Sequence, residues 1–403
     1  MVNARQRLDA RIEDFHGGRV RRTWGGRRLL DSRAPGRDAI VLTSNDYLAI
    51  ADHPQIAQAT ADHRDGPVLM SAIFLRDEHP QLRLAADFAR HMGTAAGVLC
   101  PSGWSANTGL LQVIADKDVP VYIDVLAHMS LWEGARAAQA PIIHFRHNDP
   151  EHLRRRLERN GSGVIVVDSV YSTDGSVSPL AQMVTLAREF GCVLVVDESH
   201  SLGTHGEHGA GMVAELGLTG QVDFQTASLA KAIPGRAGLI VCDRPEFTDY
   251  FAYTALPAIF SSTLLPHDLA RLAGALQVVR DEGWRRDRLR HITRRLRTGL
   301  TDLGYHLGDH ATQILALEAG TEADTMLLRD SLARRGVFGS AFFPPATSPH
   351  RTLVRLSLHA ALTDDDIDRI LTTSQDIRGE VGMAAWPSTR KRAARNSGDA
   401  DSR

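Results

Sequence analysis

Lysine is almost absent from this chain. Of 46 Lys and Arg side chains, only Lys117, Lys231 and Lys391 are lysines. Lys117 lies between two aspartates, in what reads as a solvated turn, and Lys391 in the basic run RKR. Lys231 sits instead in TASLAKAIPGRAG, among small and apolar residues. Arginine supplies charge but has no primary amine with which to form an imine. A lone lysine in such surroundings points to covalent chemistry; the plainer alternative is a side chain that snorkels to the surface. Upstream, VLVVDESHSLGTHGEHGAG delivers Asp197 at the end of an apolar run, with His200 three residues later. A carboxylate, an imidazole and an amine in this order suit pyridoxal 5'-phosphate. Its ring nitrogen stays protonated against a carboxylate, its phenolic oxygen takes a donor, and its aldehyde takes the amine. Asp–x–x–His followed by Ser–x–x–Lys, with Ser228 as the serine, is a specific combination.

Two rival readings use the same residues. DESH also resembles the second nucleotide motif of helicases, but that chemistry needs a Gly-Lys phosphate loop, and no Gly-Lys pair occurs. Asp197, His200, His205 and His208 could bind a metal, yet the Gly-rich THGEHGAG lacks paired helical ligand spacing. The expectation is no metal. PSGWSANTGLL opens a helix after the run AGVLC, and its exposed backbone N–H groups favour a phosphate. Ser102, Gly103 and Trp104 are therefore candidate cofactor contacts, although many strand–helix turns look alike. Ser172 and Ser228 are candidate hydroxyl donors, or turn and cap residues. His128, just past VYID, could stack on a cofactor ring or serve the fold alone. Arg355, in the alternating TLVRLSL, needs an anion if buried, either a substrate carboxylate or a structural partner.

The elements that must position these groups read as α/β. The runs AGVLC, VYID, VIVVD, VLVVD and GLIVC have the continuous apolar character of strands buried on both faces. Helically spaced stretches such as PLAQMVTLAREFG alternate with them. This predicts a mainly parallel large-domain sheet flanked by helices, with ligands beyond the strands' carboxyl ends, where Asp124, Asp168 and Asp197 fall. From about residue 267 a long Arg-rich helical stretch introduces a smaller α+β C-terminal domain. The expected division is an N-terminal segment 1–45, a large domain 46–266, a small domain 267–380 and a disordered tail 381–403. The net charge of -2 gives no reason to expect nucleic acid, and no apolar run reaches the roughly 18 residues of a membrane span. With a charged, non-apolar start and three cysteines beside apolar residues, the expectation is a cytoplasmic protein with reduced thiols.

SNDYLAI, SGWSANTGLLQ, VYIDVLAHMSLWEGAR, VVDSVYSTDGSVSPLA, FGCVLVVDESHSLGTHG, TASLAK, PAIFSSTLLP, GVFGS and RLSL together resemble the α-oxoamine synthases, fold-type I pyridoxal-phosphate enzymes. The likeness spans most of 40–375. Within the family, AHMSLWEGAR and DESHSLGTHG are similar to the synthases of α-hydroxyketone quorum-sensing autoinducers. The resemblance implies a Schiff base on Lys231, Asp197 at the pyridine nitrogen, His200 near the phenolic oxygen and His128 stacked on the ring. It implies Ser102, Gly103, Trp104, Ser172 and Ser228 around the cofactor, and Ser262 and Thr263 reaching the phosphate of a neighbouring subunit, hence a homodimer with its site at the interface. Arg355 would hold the amino-acid carboxylate, with Asn45 and Thr347 further substrate contacts. The implied substrates are a medium-chain acyl-CoA and S-adenosylmethionine or 2-aminobutyrate. Other α-oxoamine synthases, and an inactive partner subunit of the same fold, are the alternatives. The family's Gly-rich segment is replaced here by PVLMSAIFLRDEH, which argues against simple glycine or alanine users.

Overall fold

The computed structural model describes residues 2–26, 33–63 and 66–389. Lys391 and the rest of the basic tail lie outside the described residues. Eleven strands are found there: β1 (Ile40–Leu42), β2 (Ala96–Cys100), β3 (Val121–Asp124), β4 (Ile142–Phe145), β5 (Val164–Asp168), β6 (Val193–Asp197), β7 (Phe224–Ala230), β8 (Pro234–Cys242), β9 (Ile314–Gly320), β10 (Val337–Phe342) and β11 (Thr352–Ser357). Four of the five apolar runs singled out in the sequence are strands with the same bounds. The fifth, GLIVC, is the second half of β8.

The chain divides into two compact units. The larger comprises Asn45–His291 and His359–Ala361. Its seven-stranded sheet has the order β2-β8-β7-β6-β5-β3-β4. β3 to β7 run parallel, while β8 is antiparallel to both its neighbours. Helices on the sheet explain why β5 is buried at every residue and why VIVVD carries no polar alternation. Register places Asp168 beside Asp197, and Asp197 beside Thr226. Three carboxylates, Asp124, Asp168 and Asp197, thus end three parallel strands at the sheet's carboxyl edge. All three cysteines are buried and free.

The boundary expected at 267 lies further on, since residues up to His291 belong to the larger unit. Helix Pro266–Asp281 buries Leu269, Leu272, Ala275, Leu276 and Val279. Its Arg271 donates to the carbonyls of Pro234 (2.5 Å) and Ala51 (2.8 Å), and Arg285 donates to that of Leu48 (3.0 Å). Arginines of the stretch expected to open the smaller domain thus satisfy backbone acceptors of the larger unit.

The smaller unit holds a four-stranded sheet of order β1-β10-β11-β9. The expected N-terminal segment 1–45 supplies β1 and a helix, Ala4–Asp14, capped by Asn3. Trp24 packs with Met326 and Phe343 and donates to Glu322 Oε2 at 2.7 Å. The disordered tail expected from residue 381 is corrected as far as Thr389. Trp386 is buried, donates to the Val381 carbonyl at 3.1 Å and lies edge-on to Tyr305, and Ser388 donates to the Glu318 carbonyl at 2.7 Å. Among the described residues no helix is long and apolar enough to cross a membrane.

Candidate active site

β7 and β8 form a tight hairpin, and Lys231 occupies its turn, where its N–H bonds the Ile233 carbonyl at 3.2 Å. The Lys231 amine lies 2.9 Å from His200 Nε2, and His200 Nδ1 lies 2.6 Å from the Tyr47 hydroxyl. Tyr47 donates its single proton to Asn45 Oδ1 at 3.1 Å. His200 Nδ1 therefore donates to Tyr47, which leaves the Nε2 lone pair for an N–H of Lys231. The chain of bonds runs Lys231 to His200 to Tyr47 to Asn45, and it brings Asn45 to this site as a support for His200.

Asp197 is 4 % exposed at the end of β6. Oδ1 accepts Ser199 N–H at 2.8 Å and Oδ2 accepts Asn107 Nδ2 at 2.7 Å. Ser199 also accepts the Ser228 N–H at 2.7 Å, which ties β7 to the Asp197 turn. Neighbouring Asp168 is buried and has its pKa raised well above the ordinary carboxylate value, chiefly by burial and then by the negative charge of Asp197. His128 caps helix Met129–Ala137 and its backbone N–H donates to Asp168 Oδ1 at 3.2 Å. His128 is exposed as a whole residue, and its ring meets Trp104 edge-on at 6.1 Å. Desolvation by the surrounding protein is the main cause that lowers its pKa below 6.5; Asp197 opposes the shift and Lys231 adds to it. Asp124 fixes the loop leading to His128, accepting Leu126 N–H (2.8 Å), Asn148 N–H (2.9 Å) and His147 Nδ1 (3.0 Å).

These groups surround one cavity of about 100 Å³, lined by Gly103, Trp104, Asn107, His128, Asp168, Asp197, His200, Ser228 and Lys231 among others. Gly103 opens helix Gly103–Ile114 there. A Cβ on it would lie 2.7 Å from Ser228 Cβ and 2.9 Å from Ser228 Cα. Backbone N–H groups of this first turn are brought against β7 at a distance only glycine permits. Ser102 is the helix cap, bonded to Ser105 N–H at 3.1 Å, and does not line the cavity.

The remaining candidates lie elsewhere. Ser172 sits in the turn between β5 and helix Leu180–Glu189, off the cavity. Ser262 and Thr263 line a separate apolar cavity of about 430 Å³, and Thr263 exchanges backbone and hydroxyl bonds with Leu69. Arg355 and Thr347 belong to the smaller unit. There Arg355 is buried on β11 with its guanidinium 4.7 Å from the Phe342 ring, and Thr347 donates to the Phe342 carbonyl at 3.5 Å. His205 bonds Thr204 and His208 pairs with Glu207. Among the described residues no cluster of three His, Cys, Asp or Glu side chains could hold a metal ion.

Sequence reasoning did not single out Asn107, Ser130, Ser199 or Tyr47. Asn107 carried a signal: it shares a helix face with Leu110 and Leu111, and a polar side chain on a buried face needs a polar partner.

A strand-end carboxylate, a hairpin lysine and a glycine-opened helix on a mainly parallel sheet define a fold-type I pyridoxal-phosphate transferase. The chain belongs to the aminotransferase class I and II family, whose pattern matches residues 37–373. It is 46% identical over 374 residues to the CAI-1 autoinducer synthase of Vibrio campbellii, covering 92% of this chain and 93% of that protein. It is 34% identical over 358 residues to the 8-amino-7-oxononanoate synthase of Geotalea daltonii, covering 86% of this chain and 91% of that one. The solved serine palmitoyltransferase of S. paucimobilis with bound PLP superposes with a TM-score of 0.85 at 25% identity, over 93% of this chain and 99% of that chain.

Proposed function

We propose that the chain is a pyridoxal-phosphate-dependent acyltransferase that joins a medium-chain acyl-CoA to an amino-acid donor of the S-adenosylmethionine or 2-aminobutyrate class. The product is an amino-ketone precursor of an α-hydroxyketone autoinducer. The observation that carries this reading is the Lys231 amine, 2.9 Å from His200 Nε2 in a cavity walled by Asp197. The identity to the autoinducer synthase, over 92% of this chain, supports the choice of substrates.

The residues present fit the cofactor. Asn107 Oδ1 and Thr226 Oγ1 are buried polar atoms without a bond in the structure, both on residues that adjoin Asp197. The glycine-opened helix start provides the N–H groups a phosphate needs. Asp197 would hold the ring nitrogen, His200 the phenolic oxygen, Lys231 the aldehyde carbon, and Gly103, Trp104 and Ser228 the edges. When bound, the group supplies an electrophilic carbon for an amino group and a protonated ring able to take up an electron pair from the donor's α-carbon.

This chain's side chains do the rest. His200 accepts an N–H bond from Lys231 and so leaves the amine's lone pair aimed away from the imidazole. The Lys231 amine is the base for the donor's α-proton. Asp197, held by two donors, keeps negative charge where a ring N–H must stay protonated. His128 Nε2–H is the donor to the developing carbonyl oxygen. Overall, the acyl carbon leaves the CoA sulfur for the donor's α-carbon, and CoA thiol and carbon dioxide depart. Ser262 and Thr263 serve the partner's site in a homodimer.

The test is product mass spectrometry with acyl-CoAs of graded length crossed with amino donors. The proposal expects turnover with medium-chain acyl-CoA and S-adenosylmethionine or 2-aminobutyrate, and none for Lys231→Ala. Efficient use of alanine, glycine or serine would replace it with another α-oxoamine synthase activity.

A further inference from the structure

Behind His128 lies a buried polar bridge, built from Asn107 and Ser130. Asn107 Nδ2, a donor only, gives one proton to Asp197 Oδ2 (2.7 Å) and one to Ser130 Oγ (2.9 Å). Its amide orientation follows from the carboxylate, since an ionised carboxylate only accepts. Ser130 Oγ, already an acceptor, turns its own proton to His128 Nδ1 at 2.7 Å. Ser130 N–H reaches the same Nδ1 at 3.3 Å as the cap of helix Met129–Ala137. Two donors thus converge on one ring nitrogen, which must be the unprotonated one. Asn107 and Ser130 are 2 % and 0 % exposed, so water does not compete for these bonds. The ring's other nitrogen, Nε2, then carries the hydrogen.

We infer that Ser130 and Asn107 are positioning residues that lock His128 in the Nε2–H tautomer and couple its donor to the carboxylate of Asp197. The assignment deepens the proposed function, because His128 acts there as a donor to an oxygen. The bridge also sets an order of events: a proton reaching His128 Nδ1 must first turn the Ser130 hydroxyl away. Ser130 Oγ thus stands between His128 Nδ1 and the Asn107 amide that holds Asp197.

The experiment is nitrogen NMR of the cofactor-free protein with ring-¹⁵N histidine, His128 being assigned by its loss in His128→Gln. Wild type is expected to show Nδ1 as the unprotonated, pyridine-like nitrogen and Nε2 as the protonated one. Ser130→Ala should draw the two shifts together as the tautomers mix, and Ser130→Thr should restore the wild-type pattern. Asn107→Leu, which keeps Ser130, should produce a partial change. A protonated Nδ1 in wild type, or an unaltered pattern in Ser130→Ala, overturns the inference; an unaltered pattern in Asn107→Leu removes Asn107 from it. On the loaded enzyme, Ser130→Ala should lower kcat tenfold or more with KM for the donor within twofold, and Ser130→Thr should recover it. An unchanged kcat overturns the positioning role. If wild type turns over none of the proposed substrates, the functional reading fails while the NMR pattern still decides the tautomer.

Discussion

Replacing Gly103 with alanine tests whether the start of helix Gly103–Ile114 must touch β7. The added methyl would lie 2.7 Å from Ser228 Cβ, 2.9 Å from Ser228 Cα and 3.3 Å from Ser228 N. Carbon atoms pack at about 3.5–4.0 Å, so roughly 1 Å of separation is needed. Neither side yields easily. Ser228 N is pinned to Ser199 Oγ at 2.7 Å. On the adjoining strand, a Cβ on Gly238 would lie 2.1 Å from the Ser102 carbonyl, so the helix cap is already pressed against β8. Overpacking of this kind costs about 1–3 kcal/mol, offset by at most about 1 kcal/mol from the better helix former. The expected net loss is about 0–3 kcal/mol in urea unfolding. Because a 1 Å displacement of a site wall can cost about 10²-fold in rate, kcat/KM should fall by about that factor, with weaker cofactor binding in a spectral titration. An alanine variant with unchanged stability, cofactor affinity and turnover would refute the claim that this close approach shapes the site.

Asn107→Leu removes a donor from the buried Asp197 and should destabilise the protein by about 1.5–3 kcal/mol, as for other bonds to charged groups; a loss below about 0.5 kcal/mol would show the bond contributes little. Trp386→Ala should cost about 3–5 kcal/mol, measured by chemical unfolding, because the ring is buried against Tyr305; a disordered segment there would give no loss. His91 is lowered from 6.5 to about 4 by burial and then by Arg280. Between these values the unfolded chain binds the extra proton, so stability is full above pH 6.5 and falls as the pH drops toward 4, by roughly 3 kcal/mol at most. His91→Gln should flatten that acid-side loss in a pH series of urea titrations, and an unchanged slope would contradict it.

The chemistry was legible where spacing along the chain mirrors proximity in space. Asp197, His200, Ser228 and Lys231 stand on two adjacent strands and their turns, so one stretch of sequence carries the amine, imidazole and carboxylate. The strands themselves were legible because a parallel sheet covered on both faces leaves uninterrupted Val/Ile runs. The bridge behind His128 was not. Asn107 lies 23 residues from Ser130 and 90 from Asp197, and a serine two places into a helix looks like any cap residue. The domain boundary was not legible either. The Arg-rich stretch after residue 267 read as the start of the smaller domain, whereas Arg271 and Arg285 donate to carbonyls of the larger unit. Polar character likewise suggested disorder after 381, but Trp386 is what fixes that segment.

The central claim is that the Lys231 amine is the group that binds the cofactor covalently. Borohydride reduction of the protein loaded with pyridoxal phosphate, followed by peptide mapping, addresses it without any assumption about substrates. The account predicts a single phosphopyridoxyl adduct at Lys231 and none in Lys231→Ala. An adduct on Lys117 or Lys391 instead, or no adduct from loaded protein, would contradict it.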